Sequence, residues 1–367
     1  MARHEDKELA GLLEKFACVR QVQMYGVDLS LFQFHGQLTW AAFFLNADRT
    51  IYGRYGSRSP HRGMKDNDKD ISLEGFKRAL EGALELHKGY PANKASLAGK
   101  TGPAPGAKTP EQYPAAAALN LQPAEKTGGK GCIHCHQSQD FELMSAKRAG
   151  QPIPDRLVWT YPMPDLLGLA LDGRERATVT SAAAGSAAEK AGFKAGDRIT
   201  SMEGQPILSI ADVQWVLHTA REPGAVKAEV ERGGKKADLT LALAEGWRRK
   251  VSFADTLSLG WVTRQQVAGM RCDALPPAEK EKLGLAAEAL ALKVMDLSPD
   301  FVKDRNPSAK KIGLQKNDVL VEVDGRKTAM SESEFLAYLL QKKGRGEKVD
   351  LAYRRGEKTE KVQLELP

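Results

Sequence analysis

The residues of this 367-residue chain best suited to chemistry are two cysteines, three positions apart, and the histidine that follows them. They are Cys132, Cys135 and His136, in the segment Gly-Cys-Ile-His-Cys-His. In a Cys-x-x-Cys-His motif both thiols form thioethers with the vinyl groups of a haem, and the adjacent imidazole ligates the iron. The spacing therefore predicts haem c attached through Cys132 and Cys135, with His136 as a metal ligand.

Two other kinds of site are open to the same thiols. They could form a redox-active disulfide, or they could hold zinc together with His134 and His136. A structural zinc site needs about four protein ligands. The sequence has no second Cys-x-x-Cys and no His-x₃₋₅-His after the motif, and Cys272 is far away. Haem is therefore the preferred interpretation, and the disulfide and zinc remain its alternatives.

A methionine is expected as the sixth ligand of the iron. This region offers Met144 and Met163. Met163 lies between two prolines, which fix the backbone and suit a presented ligand, so we expect Met163 to complete the metal site. The alternatives are an open sixth position, a histidine such as His87, and simple packing of Met163 against the strand that follows it.

Composition and charge exclude several broad classes of protein. Lys and Arg number 54 against 47 Asp and Glu, a net charge of +7, but the basic runs lie beside acidic residues. Charge spread in this way does not predict nucleic-acid binding. No apolar run exceeds about half of the ~20 residues that a membrane span needs, so no transmembrane segment is expected.

The motifs of common enzyme classes are also missing from the sequence. It has no Gly-x-Ser-x-Gly or Gly-Asn-Ser-Gly-Gly nucleophile segment and no Gly-x₄-Gly-Lys-[Ser/Thr] phosphate loop. We therefore expect no catalytic activity from this chain, with thiol-disulfide exchange confined to a longer form.

An internal repeat in the C-terminal half predicts two related modules. Residues 186–204 align without gaps on residues 307–325, so that Asp197 and Asp318 are equivalent. In each copy a helical stretch follows, over 210–220 and 333–341, and then two strands joined by a short glycine-containing turn.

The repeated pattern resembles PDZ domains of the bacterial envelope type. Such domains bind an extended peptide or a protein C-terminus along an edge strand, with a glycine loop holding the terminal carboxylate. The resemblance implies two carboxylate loops and, on the helices, residues that line the groove, unless those helix residues are ordinary core. The implied peptide-binding residues are Leu167, Gly168, Leu169, Val213 and Leu217 in the first copy, and Leu283, Gly284, Leu285, Phe335 and Leu339 in the second.

The N-terminal region alternates helix and strand patterns. Apolar spacing predicts a helix over 9–16, a strand over 17–22, a hairpin over 39–55 and a helix over 72–88. Because Cys18 falls inside the strand pattern, we expect it to be a small buried residue and not a reactive thiol.

This order of elements resembles the second half of a thioredoxin fold, with Leu38-Thr39 where that fold carries a cis-proline and threonine. The proline is missing. Residues 16–34 and 38–48 are similar to a bacterial family, some of them selenoproteins, that joins a thioredoxin-like domain to PDZ modules. The resemblance implies an N-terminally truncated chain that begins after the redox-active helix. The first ten residues also lack the features of a secretion signal.

The predicted fold class is an α+β multidomain protein with four parts. A partial thioredoxin-like α/β domain spans 1–90, a loop-rich linker with the Cys-x-x-Cys-His motif spans 91–160, and two β-rich PDZ-like modules span 161–246 and 257–367. The expected function is a redox-linked adapter of the periplasm or cell envelope, with a redox protein and peptide tails as partners. The alternative is a PDZ scaffold without haem.

Overall fold

The computed structural model describes residues 6–38, 40–57, 69–117, 119, 121–123, 126, 132–253, 263–264, 267–297 and 308–367. The chain divides into two compact units. The first contains Met1–Phe141 and Trp159–Lys250, and the second contains Glu142–Val158 and Val251–Pro367. Residues 1–90 therefore share a compact unit with the first copy of the repeat.

The N-terminal region forms a hairpin flanked by two helices. Helix α1 (Lys7–Leu13) precedes strands β1 (Ala42–Leu45) and β2 (Ile51–Tyr55), which pair antiparallel. Helix α2 (Leu73–Lys88) begins at Ser72, whose side chain accepts a backbone N–H of the first turn. The apolar faces of these elements share one core, so the predicted helices and hairpin are present.

The strand predicted over 17–22 does not form, and that prediction was wrong. In the described part of the chain no strand pairs with these residues. Val19 is 92% exposed and Val22 is 73% exposed, because without a partner strand their side chains have no sheet face to bury. Cys18 is exposed as well, which contradicts the expectation that it is buried.

Short helices occupy much of the region predicted as a loop-rich linker. They are α3 (Lys94–Leu97), α4 (Pro114–Ala117), α5 (Cys135–Arg148) and α6 (Asp155–Val158). Helix α5 is 14 residues long and begins at the second cysteine of the motif. Its apolar residues do not follow a clean helical period, which is why the sequence pattern did not reveal it.

An antiparallel sheet forms the second part of the first unit. The strand order is β3-β4-β5-β7-β8, with β6 paired to β5. The helices cover one face and enclose an apolar core. The elements are β3 (Leu169–Asp172), β4 (Thr178–Ala182), α7 (Ala187–Ala191), β5 (Arg198–Met202), β6 (Gln205–Pro206), α8 (Ile210–Thr219), β7 (Gly224–Arg232) and β8 (Lys235–Leu243).

The second unit contains a sheet of the same design. Its strand order is β9-β10-β11-β12-β13, so β9 lies at the edge as β3 does in the first unit. The elements are β9 (Arg271–Ala274), α9 (Pro277–Lys282), β10 (Leu292–Asp296), α10 (Ser308–Lys311), β11 (Val319–Val323), α11 (Glu332–Lys342), β12 (Lys348–Arg355) and β13 (Lys358–Glu365). None of the helices in the described ranges is long and apolar enough to cross a bilayer.

Each module contains an aspartate–arginine pair, and the repeat makes the two aspartates equivalent. Arg232 donates to both carboxylate oxygens of Asp197, at 2.6 and 2.7 Å. Arg355 does the same to Asp318, at 2.8 and 2.7 Å. Each arginine also donates to the carbonyl of the glycine five residues before the aspartate. The repeated aspartate is therefore a structural residue that joins a turn to the last hairpin.

We expect Arg232→Gln to lower the free energy of unfolding of the first unit by about 2 kcal/mol near pH 7, because buried Asp197 loses its bidentate partner. Burial raises the pKa of Asp197, but hydrogen bonds from Arg232 and from the Lys194 N–H outweigh burial and hold that pKa below its usual value. This stabilisation is present above the unfolded-state pKa, about 4, and is lost as the pH falls through the lowered folded-state pKa.

Urea unfolding between pH 7 and pH 2.5 measures the effect. The stability difference between wild type and Arg232→Gln should shrink as the pH falls. Arg198→Gln, which alters an exposed pair with Glu231, is the control and should cost under about 1 kcal/mol. A difference that does not depend on pH would contradict the assigned role of Asp197.

Candidate functional site

A groove of about 570 Å³ runs along the edge of β3. All four residues of β3 line it, and in the described part of the chain β3 pairs with β4 alone. Residues 163–165, residues 69–72 and Ile210 at the start of α8 also line the groove. An edge strand beside a groove can offer its backbone N–H and C=O groups to an added strand.

The loop predicted to hold a carboxylate lies at the entry to β3. A 3-10 turn ends at Gly168, which has a φ of +78° and whose N–H donates to the Asp165 carbonyl at 2.9 Å. Leu167 and Leu169 are buried in the core of the sheet on either side. A Cβ atom on Gly168 would lie 2.3 Å from Cβ of Ser186, so both the conformation and the space require glycine.

The helix residues predicted to line the grooves are buried in both units. Val213 and Leu217 of α8 have no exposed surface and belong to the core beneath the sheet. Phe335 and Leu339 of α11 are also fully buried. The residue of α8 that does line the groove is Ile210, which the sequence reasoning missed. Its spacing of three residues from Val213 places it on the same side of the helix, one turn earlier.

Tyr161 fastens the segment before the groove to α8. Its carbonyl accepts from Gln214 Nε2 at 3.0 Å, and its N–H donates to His218 Nδ1 at 3.3 Å. Its ring stacks on the ring of His218 with 4.1 Å between centroids. Met163, two residues later, is buried and lines the groove. Met163, the predicted sixth iron ligand, therefore lies in the wall of the groove.

The buried carboxylate of Asp212 connects α8, the helix beside the groove, to the N-terminal part of the chain. Asp212 accepts from Lys100 Nζ at 2.7 Å, from the Arg54 N–H at 3.2 Å and from the Leu208 N–H at 3.0 Å. Neither Lys100 nor Asp212 has exposed surface. The groove is therefore positioned by residues of the N-terminal region as well as by its own sheet.

The second unit has its glycine loop in a different place from the one predicted. Leu283, Gly284 and Leu285 follow α9, between β9 and β10, and so do not lead into the edge strand. The loop before β9 contains Gly269, which has a φ of +68° and donates its N–H to the Arg264 carbonyl at 2.7 Å. Gly269 is thus the counterpart of the glycine before β3. The Leu-Gly-Leu pattern of residues 283–285 repeats that of residues 167–169, but in the structure it lies between α9 and β10 and not before the edge strand.

The Cys-x-x-Cys-His motif spans the start of α5. Cys132 and Cys135 are half-buried and do not form a disulfide. Burial raises the pKa of the Cys135 thiol. Nδ1 of His136 lies 3.4 Å from Oδ2 of Asp140, one helical turn later. An imidazole anchored through Nδ1 presents its Nε2 as a ligand.

The N-terminal region packs against this motif. The Met24 N–H donates to the Ile133 carbonyl at 2.7 Å, and a Cβ on Gly36 would lie 2.9 Å from the carbonyl oxygen of Cys135. Two unbridged thiols and an anchored imidazole are the donor set that covalent haem requires. Within the ranges that the structure describes, no group of three or more His, Cys, Asp or Glu side chains is arranged to hold a metal ion.

A model of the PDZ domain family matches residues 164–243 and 280–366. The chain contains two PDZ domains. The first match includes β3 and its groove, and the second lies in the module with β9 at its edge and begins after that strand. No curated protein matches the sequence.

A solved PDZ domain and solved HtrA-type proteases resemble parts of the chain at low identity. The HtrA3 PDZ domain bound to a phage-derived ligand is 19% identical, with a TM-score of 0.20, covering 27% of this chain and 80% of that one. The HtrA-type protease AlgW with a decapeptide is 16% identical, with a TM-score of 0.22, covering 39% and 48%. AlgW with a tripeptide is 16% identical, with a TM-score of 0.22, covering 39% and 52%. The match spans about half the length of the AlgW chains.

We expect Gly168→Ala to destabilise the first PDZ domain by about 2 kcal/mol or more, because the new Cβ meets Ser186 while φ stays positive. Gly185→Ala is the matched control: Gly185 has a φ of +74° but open space around the Cβ position. It should therefore cost only about 1 kcal/mol. Thermal and urea unfolding measure both. Equal losses in the two variants would show that close packing at Gly168 is unimportant.

Proposed function

We propose that this chain is a peptide-binding adapter whose first PDZ domain takes an extended peptide along β3. The observation that carries the proposal is the groove beside this edge strand, walled by residues 69–72, residues 163–165 and Ile210. PDZ domains bind their ligands by strand addition. Because β3 has four residues, its edge pairs with about four peptide residues at ~3.4 Å each.

The backbone directions at the start of β3 support recognition of a terminal carboxylate. The Gly168 carbonyl accepts from the Ala183 N–H, towards the neighbouring strand. In a trans peptide the next N–H, that of Leu169, points the opposite way, which is towards the open edge. The Leu169 N–H is therefore the donor proposed for the carboxylate. Beside it, Ile210 and Met163 give the groove apolar walls for the side chains of the peptide tail.

A phage-displayed library of random C-terminal heptapeptides, selected on the full chain, tests this function. We expect enriched peptides with micromolar affinity, at least about tenfold weaker as C-terminal amides because the carboxylate contact is lost. Ile210→Arg should weaken binding by a similar factor, whereas Lys235→Glu, at the exposed start of β8, should not. A library that yields no binder, or binders indifferent to Ile210→Arg, would refute the proposal.

We propose as a second function that the Cys-x-x-Cys-His segment holds covalent haem and makes the adapter redox-active. The spacing of Cys132 and Cys135 before His136, and the Nδ1 contact of His136 with Asp140, support it. Bound haem would supply electron transfer. The raised pKa of Cys135 disfavours the thiolate that disulfide exchange needs, so exchange is the weaker alternative at this pair.

The haem test is coexpression with a c-type maturation system behind a secretion signal. We expect a Soret band that survives acid–acetone extraction, and a mass increase of one haem on the peptide that contains residues 132–136. Cys132→Ala should abolish or weaken this attachment, whereas Cys18→Ala, at the exposed thiol of the N-terminal region, should leave it intact. A colourless and well-folded protein would favour a PDZ scaffold without haem.

The remaining parts of the proposed function concern the N-terminal region. We propose that residues 1–90 are the second half of a thioredoxin-like domain of the selenoprotein-containing family. The order of α1, the β1–β2 hairpin and α2 supports this, although the strand expected after α1 does not form. A redox protein would then be a partner besides the peptide tail. Haem attachment to thiols would place the protein in the periplasm.

A further inference from the structure

The edge strand of the second PDZ domain is bonded to the helix that faces it. The N–H of Cys272, in β9, donates to Oε1 of Glu332 at 2.8 Å. Glu332 is the first residue of α11, and both residues are buried. The Glu332 carboxylate therefore already accepts a hydrogen bond from a backbone N–H of β9, the strand equivalent to β3.

Arg264 fixes this carboxylate in place. Its Nε donates to Glu332 Oε1 at 2.8 Å and its Nη2 donates to Oε2 at 2.5 Å. The Arg264 carbonyl accepts from the N–H groups of Ala268 and Gly269, so the arginine also holds the glycine that precedes β9. Both ionised side chains are largely shielded from solvent. Separating them would leave a buried charge unpaired, which is costly.

The first PDZ domain has an apolar residue at the corresponding position. Ser209 and Ser331 are the N-caps of α8 and α11, so Ile210 and Glu332 are equivalent. The β3–β4 and β9–β10 registers pair Leu171 with Val179 and Cys272 with Val294. The carbonyls of Val179 and Val294 each accept the N–H that precedes the repeated aspartate, which makes Leu171 the counterpart of Cys272.

We propose that only the first PDZ domain accepts a peptide tail, and that the Glu332–Arg264 pair closes the second. This inference rests on the proposed function and assigns peptide binding to β3 and not to β9. A peptide carbonyl arriving at β9 would have to replace a charged acceptor on the Cys272 N–H. Hydrogen bonds to ionised groups are roughly twice as strong as neutral ones, so the exchange is unfavourable. The proposed ligand is the free C-terminal tail of a partner protein, which pairs with β3.

Hydrogen-exchange footprints of peptides selected from the random C-terminal library test the assignment on the full chain. On wild type, every enriched peptide should slow amide exchange in β3 and leave β9 unchanged. The Cys272 amide should already be protected without peptide. Glu332→Ile copies the residue of the first domain and should speed exchange of that amide at least about tenfold. It should also yield new peptides whose footprint lies on β9.

Glu332→Gln retains an acceptor for the Cys272 N–H. It should therefore increase the exchange of that amide less than Glu332→Ile does. It replaces the isoleucine variant if that variant does not fold. Glu357→Ile, on the exposed turn between β12 and β13, is the control for the added isoleucine. Wild-type peptides that protect β9 would overturn the assignment. A folded Glu332→Ile chain that yields no β9 binder would overturn it as well. A library that yields nothing on wild type would instead refute the proposed peptide-binding function.

Discussion

The buried carboxylate of Asp212 is the interaction on which the groove depends. It lies inside α8 and accepts from the Arg54 N–H of the N-terminal region and from Nζ of Lys100, which follows that region in the segment predicted as a linker. Burial lowers the pKa of Lys100, and the charge of Asp212 opposes that shift. Removing either partner would leave a buried charge at a cost of about 3–5 kcal/mol. The groove wall is thus tied to residues more than 100 positions earlier in the chain.

This tie explains why α8 is buried on several sides. Nε1 of Trp215 donates to the Gly99 carbonyl at 2.8 Å, and the Arg54 guanidinium lies 4.1 Å from the centre of the Trp215 ring. One side of the helix packs on its own sheet through Val213, while these contacts cover another. The N-terminal region therefore supports the first PDZ domain. A linker interpretation of residues 91–100 misses this role.

Local patterns revealed the parts of the fold whose causes are local. The glycine and aspartate positions of the repeat predicted both PDZ modules, because turns and the Asp197–Arg232 type of pair recur at fixed spacing. The strand predicted over 17–22 failed because pairing depends on a neighbour, not on alternating side chains. Lys100 could not be foreseen as a core residue, since its partner Asp212 lies in another element. Gly269 escaped notice because Leu283-Gly-Leu285 showed the stronger local pattern.

The two edge strands, β3 and β9, differ through a residue pair that alignment of the repeats does not reveal. The helix N-caps Ser209 and Ser331 make Ile210 and Glu332 equivalent. From the sequence alone, an acid at the start of a helix indicates only a favourable interaction with the helix dipole. Its role follows only once Arg264, 68 positions earlier and outside the aligned segment, is seen to pair with it. Two copies of one fold can thus keep the same core and turns, while the Glu332–Arg264 pair alone determines which edge strand can bind a peptide. Similarity of fold between the modules does not imply that they share ligands.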